Sequence, residues 1–151
     1  MKNNFKQIFL TGMLFFLGCA PISDGSELGR NFYKGELTTQ DQRISTYSLP
    51  DQWEIYYYGK TSIHPPDFTL SRYLARNGES MAVYILDFLN SSKEDMYFLN
   101  SLDVFVDMKS FNYFDYCKNK KIIDKLNSNK DLLKNENWRK SYNDKRLRMD
   151  C

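Results

Sequence analysis

The stretch "ESMAVYILDFLNSSKEDMYFLNSLDVFVDMKS", residues 79–110, decides the fold class. In its first half Met81, Ala82, Val83, Tyr84, Ile85, Leu86, Phe88 and Leu89 run almost without interruption. A helix of that kind is apolar on nearly every side, so it is expected to be the most buried of the chain. The second half opens with Ser92 as a cap and with Glu94 and Asp95 in the first turn, where carboxylates meet the positive end of the helix dipole. Met96, Leu99, Leu102 and Val106 then follow at spacings of three, three and four, and Phe98 and Phe105 widen the stripe. Tyr, Val and Ile also favour sheets, which makes "SMAVYIL" and the earlier "EIYYYGK" the strand-like alternatives. No Asn-Gly or Asp-Gly pair joins two alternating runs into a hairpin. The expectation is therefore a mainly α chain, a small bundle or stack of short helices.

The flanking segments carry helix punctuation. "SLPDQWEIYYYG", residues 48–59, offers Ser48 as N-cap, Pro50 and Asp51 in the first turn, and Gly59 as a stop. "PPDFTLSRYLARNG", residues 65–78, places Pro66 near a helix start and Phe68, Leu70, Tyr73 and Leu74 along it. Asn77-Gly78 then forms a left-handed C-cap. Downstream, a weaker helix over 118–127 carries Ile122, Ile123 and Leu126 on one face. A last helix over about 132–149 offers Leu133, Trp138, Tyr142 and Leu147 to the core.

Helix, Asn-Gly turn, helix, short polar loop, helix is the order read from "FTLSRYLARNGESMAVYILDFLNSSKED", with Leu74 and Ala75 just before the glycine turn. This pattern resembles HEAT-type helical hairpins over residues 67–95. The resemblance implies a scaffold for protein contacts and transfers no functional residues. A second copy at a period of about 40 is not visible, so the expectation is a HEAT-like packing style and not an array.

The chain of 151 residues is one domain's worth, and its 42% hydrophobic and 16% aromatic content is enough to build a core. With eleven Tyr and eleven Phe, many rings are expected to point inward with tyrosine hydroxyls at the rim. The formal net charge of +2 hides a polarity. From Cys19 to Cys117 eight Lys/Arg face fourteen Asp/Glu, a balance of −6, whereas from Lys118 to Asp150 eleven face five, a balance of +6. The two parts would attract each other when packed together.

The N-terminal "MKNNFKQIFLTGMLFFLGC" has basic Lys2 and Lys6, then an apolar run from Ile8 to Leu17 broken only by Thr11 and Gly12. That run is about half of the roughly 20 residues needed to cross a bilayer, which suits a signal-peptide core. Phe16, Leu17, Gly18 and Cys19 resemble the lipobox of bacterial lipoproteins, in which a Cys after small residues is diacylated and becomes the new N-terminus. The resemblance implies a signal peptide over 1–18, lipid attachment at Cys19, and residence at a membrane of the bacterial cell envelope. Ala20 beside the Cys favours the outer membrane in a Gram-negative host. "APISDGSELGRN" then reads as the start of a flexible tether over 19–37, and a single helical domain is expected over 38–151. The alternatives are an ordinary signal peptide cleaved elsewhere and an uncleaved N-terminal helix.

Chemistry-bearing residues are sparse. His64, the only histidine, could act as a base oriented by Asp67, but Pro65-Pro66 explains the segment as a helix-entry turn and no Gly-x-Ser-x-Gly elbow accompanies it. With one His and no Cys-x-x-Cys spacing, neither a metal nor another cofactor is expected. If Cys19 is acylated, Cys117 and Cys151 remain, as a disulfide in an oxidising compartment or as two free thiols. Asp103 and Asp107, at i and i+4, form either an acid pair or a solvated helix face, and the solvated face is the cheaper reading. The basic end "NWRKSYNDKRLR" carries Arg139, Lys140, Lys145, Arg146 and Arg148, by default another solvated face, with an anionic headgroup or an acidic partner as its target otherwise. Nucleic acid is not expected as a partner. The functional expectation is a lipid-anchored, non-catalytic protein-binding or scaffold module that meets an unknown envelope protein. The alternatives are an immunity or inhibitor lipoprotein and a small envelope hydrolase.

Overall fold

The structure, a computed structural model, describes residues 25–92 and 94–151. Eight α-helices and no strand occur among the described residues: α1 Glu27–Tyr33, α2 Gln40–Ile44, α3 Leu49–Thr61, α4 Leu70–Ala75, α5 Gly78–Ser91, α6 Asp95–Ser110, α7 Lys120–Asn129 and α8 Glu136–Met149. The mainly α expectation holds, and the arrangement is a small helical bundle. "EIYYYGK" and "SMAVYIL" are helical. Neither run has an alternating partner, whereas each buries a face with period 3.6.

The helix α3 begins as its sequence suggests. Ser48 Oγ accepts the Asp51 amide at 3.4 Å and donates to the Asp51 carboxylate at 2.6 Å, with Pro50 in the first turn. Gly59, however, does not stop it. The helix continues to Thr61, because Gly59 serves a close approach: a Cβ there would lie 2.0 Å from the Tyr33 hydroxyl. The relation is reciprocal, since a Cβ on Gly29 of α1 would lie 2.5 Å from Cβ of Tyr58. Each of the two helices receives a tyrosine of the other over its own glycine. Tyr33 then reaches past α3 and donates to Asp67 at 2.7 Å.

This crossing corrects the expected tether. Within 19–37, residues 27–33 are helical, Ser26 caps them by accepting the Gly29 amide at 2.8 Å, and Phe32 is buried. The apolar face Leu28, Phe32 and Tyr33 overrides the loop-like composition of the segment around it. The packed domain therefore begins before residue 38. The expected signal peptide and Cys19 lie outside the described residues.

The most buried helix is α6, not α5. Nine of the 16 residues of α6 are buried, against six of 14 in α5. The reason is the extent of packing: each of the two helices meets four others, but α4 and α8 lie along α6 far more extensively than any helix lies along α5. Leu102, Val104 and Phe105 of α6 have no exposed surface, and each such side chain contributes about 1.5–3 kcal/mol by burial. Tyr56 of α3, also fully buried, donates to the Asn100 carbonyl at 2.8 Å and ties α3 to this central helix. In contrast α5 leaves Val83 exposed and Tyr84 and Phe88 half-buried. Gly78, at φ +55°, supplies the left-handed turn between α4 and α5 that Asn77-Gly78 implied.

In the C-terminal part, Asn119 caps α7 by accepting the Ile122 amide, and Ile122 and Leu126 are buried. Asn135 caps α8, which lies along α6 with Tyr142 and Met149 inward. Leu133 is buried as expected, but Leu147 is 79% exposed, because the inward face of α8 runs through 142, 145, 146 and 149 instead. Cys117 and Cys151, with Cα atoms 5.3 Å apart, are joined as a disulfide that closes the end of the chain onto the turn before α7.

Candidate functional site

The helices α3, α5 and α6 leave one aromatic groove between them, with a volume of about 860 Å³. On α3, Trp53, Tyr57 and Thr61 succeed one another at i, i+4 and i+8, while Glu54 and Tyr58 form the adjacent row. On α5, Tyr84 and Phe88 at i and i+4 stand just off the core-facing stripe. Tyr97 in the first turn of α6 and Glu94 before it close the third side. Gly25, Ser26, Pro50 and Ser62 complete the rim.

The rings form a connected set. Tyr57 and Tyr97 have centroids 4.2 Å apart, Phe88 meets Tyr97 edge-on at 4.9 Å, and Trp53 lies 5.5 Å from Phe88. Tyr84 stacks beside Phe88 at 6.3 Å. Burial pushes the Tyr57 phenol up to about 12, with Tyr97 and Glu94 adding to the effect. Burial likewise raises Tyr84 and Tyr97, and the nearby glutamates add to it. All three phenols are therefore neutral at physiological pH. The fixed charge of the described lining comes from Glu54 and Glu94, both exposed, and no Lys, Arg or His is among the described lining residues.

The residues singled out in sequence lie elsewhere. His64 is exposed, and Asp67 does not orient it: Asp67 accepts from Tyr33 and from the Thr69 amide and hydroxyl, at 2.7, 2.8 and 2.7 Å. Asp103 and Asp107 are not a solvated face. Asp103 accepts from Lys60 at 2.9 Å and from Lys145, with only 17% of its side chain exposed, so it joins α3, α6 and α8. Burial lowers the Lys60 ammonium below the ordinary lysine range, and Asp103 only partly offsets this. Asp107 accepts from Ser71 at 2.6 Å; burial raises its carboxyl above the usual range, and the Ser71 bond opposes that shift.

The basic end is divided. Lys145 turns inward to Asp103, Arg139 donates to the Leu133 carbonyl at 2.6 Å, and Arg146 packs beside Tyr116 and Tyr142, while Lys140 and Arg148 are exposed. The opposite charges of the two parts of the chain thus meet inside the fold. Among the described residues no group of His, Cys, Asp and Glu could hold a metal ion, and no helix is long and apolar enough to cross a membrane.

Sequence reasoning missed the groove. Tyr84 and Phe88 were read as part of the nearly all-round apolar run 81–89, and Tyr57 and Tyr97 were not singled out. The signal was the pair Tyr84/Phe88, set apart from the Met81, Ala82, Ile85, Leu89 stripe of the same helix. Comparison with known proteins finds no match to a family model, to a curated protein or to a solved structure.

Proposed function

We propose that this chain is a non-catalytic protein-binding module of the bacterial cell envelope, held at a membrane by acylated Cys19. The observation that carries the binding part is the aromatic groove of α3, α5 and α6. Half-buried aromatic rings beside open carboxylates are the composition of a recognition surface, in which large rigid side chains offer contact area at low entropic cost. The lipobox-like Cys19 at the end of a short apolar run supports the anchor. His64, exposed and separate from the Asp67 bonding, offers no assembled acid–base pair that would favour hydrolysis.

The test is affinity capture of the full chain from detergent-solubilised envelope, with Tyr97→Ala and Tyr84→Ala as groove variants and Cys19→Ser as the anchor variant. The reading expects a partner retained by the wild type and by Cys19→Ser, lost with the groove variants, and membrane fractionation lost only in Cys19→Ser. A partner retained equally by folded groove variants removes the groove from the reading. Unchanged fractionation of Cys19→Ser removes the anchor.

A further inference from the structure

We infer that the groove receives an arginine side chain of the partner protein, an inference that rests on the binding reading above. Elsewhere this chain covers its own rings with its own cations. Arg43 lies 4.4 Å from the Phe32 centroid, Lys60 3.6 Å from Phe68, Arg72 3.9 Å from Phe111 and Arg76 4.7 Å from Tyr73. Among the described residues no such cation sits over Trp53, Tyr57, Tyr84, Phe88 or Tyr97, although these make up the largest connected ring set.

The electrostatics of the groove fit a cation from outside. The ring faces carry the negative side of the aromatic quadrupole, and Glu54 and Glu94 add two carboxylates to the described lining with no base among them. Guanidinium matches both parts. Its plane stacks on rings while its edge donates to carboxylates, and it sheds water more readily than an ammonium. A methylene stem would lie against the half-buried Phe88 and Tyr97, leaving the charged end toward the exposed glutamates.

The experiment is isothermal titration of the full chain in mild detergent with two blocked pentapeptides, acetyl-Gly-Ser-Arg-Ser-Gly-amide and its citrulline counterpart. Citrulline keeps the shape of arginine and removes the charge. The arginine peptide is expected to bind about tenfold more tightly. Glu54→Gln with Glu94→Gln, at two exposed positions, is expected to reduce that ratio to below about threefold, and Tyr97→Leu to weaken arginine binding by about tenfold. Equal binding of the two peptides overturns the cation preference and leaves a groove that binds proteins by other means. Absence of arginine binding, alongside partner capture that still depends on Tyr84 and Tyr97, overturns this inference alone. Capture that no longer depends on those residues overturns the binding reading itself.

Discussion

Asp103 and Lys145, 42 residues apart in sequence, are joined side chain to side chain between α6 and α8. The other oxygen of the same carboxylate holds Lys60 of α3 at 2.9 Å, so one acid pairs with two partly buried ammonium groups and links three helices. Removing the acid strands both cations, whereas removing Lys145 leaves one pair intact. Asp103→Ala is therefore expected to cost about 3 kcal/mol in urea unfolding at neutral pH, and Lys145→Ala clearly less. Equal losses in the two variants would contradict the shared-carboxylate arrangement.

The crossing of α1 and α3 makes a second prediction. Gly29→Ala drives a methyl group into the Tyr58 stem, and Gly59→Ala drives one into the tip of Tyr33. The Tyr58 stem cannot move without its backbone, while the Tyr33 ring can swing at the expense of its bond to Asp67. Gly29→Ala is expected to lose about 2–3 kcal/mol and Gly59→Ala about 1–2 kcal/mol, read from thermal or urea unfolding. A neutral Gly29→Ala would show that α1 is not seated on α3.

The Cys117–Cys151 bridge closes a loop of sequence separation 34. Chain-entropy arguments give such a loop about 4 kcal/mol, obtained mainly by restricting the unfolded chain. Adding reductant is expected to lower the urea midpoint of the wild type and to leave Cys151→Ser unchanged. Labelling with a thiol reagent under native and denaturing conditions gives the direct check: full modification of Cys117 without reductant excludes the bridge.

Asp107 has a pH signature with a definite sign. Burial raises its carboxyl in the folded state, so the fold binds this proton more tightly than the unfolded chain does. Stability from this group is complete below the ordinary carboxylate range and is lost as pH rises through the raised value. Asp107→Asn keeps an acceptor for Ser71 and removes the buried charge. The variant is expected to match the wild type in acid and to exceed it at neutral pH in urea unfolding. A wild type that gains on the variant as pH rises would refute this.

The helices were legible because their signals are local. Ser48 and the Gly78 turn act on amides or dihedrals within a few residues, and the 3.6-residue stripe of α6 needs only its own chain to be visible. Local signals misled where a distant partner took over. Gly59 has the residue type of a stop but lies under Tyr33, and the polar stretch around residues 25–37 holds a helix because Tyr58 and Gly59 provide it with a seat.

Charge followed the same division. The opposite signs of the two parts of the chain were countable in advance, and so was the attraction between them. Which carboxylate meets which ammonium was not, because Asp103 reads as any i, i+4 acid on a helix surface until α3 and α8 close over it. Composition and periodicity determine a mainly helical chain. Tertiary structure alone decided that Tyr57, Tyr84, Phe88 and Tyr97 line a groove instead of filling the core. A helix places its side chains by its own period, but whether a ring is covered depends on how extensively its neighbours pack along that helix. Both α5 and α6 meet four other helices, yet α8 and α4 lie along α6 far more extensively than any helix lies along α5, which keeps one side open.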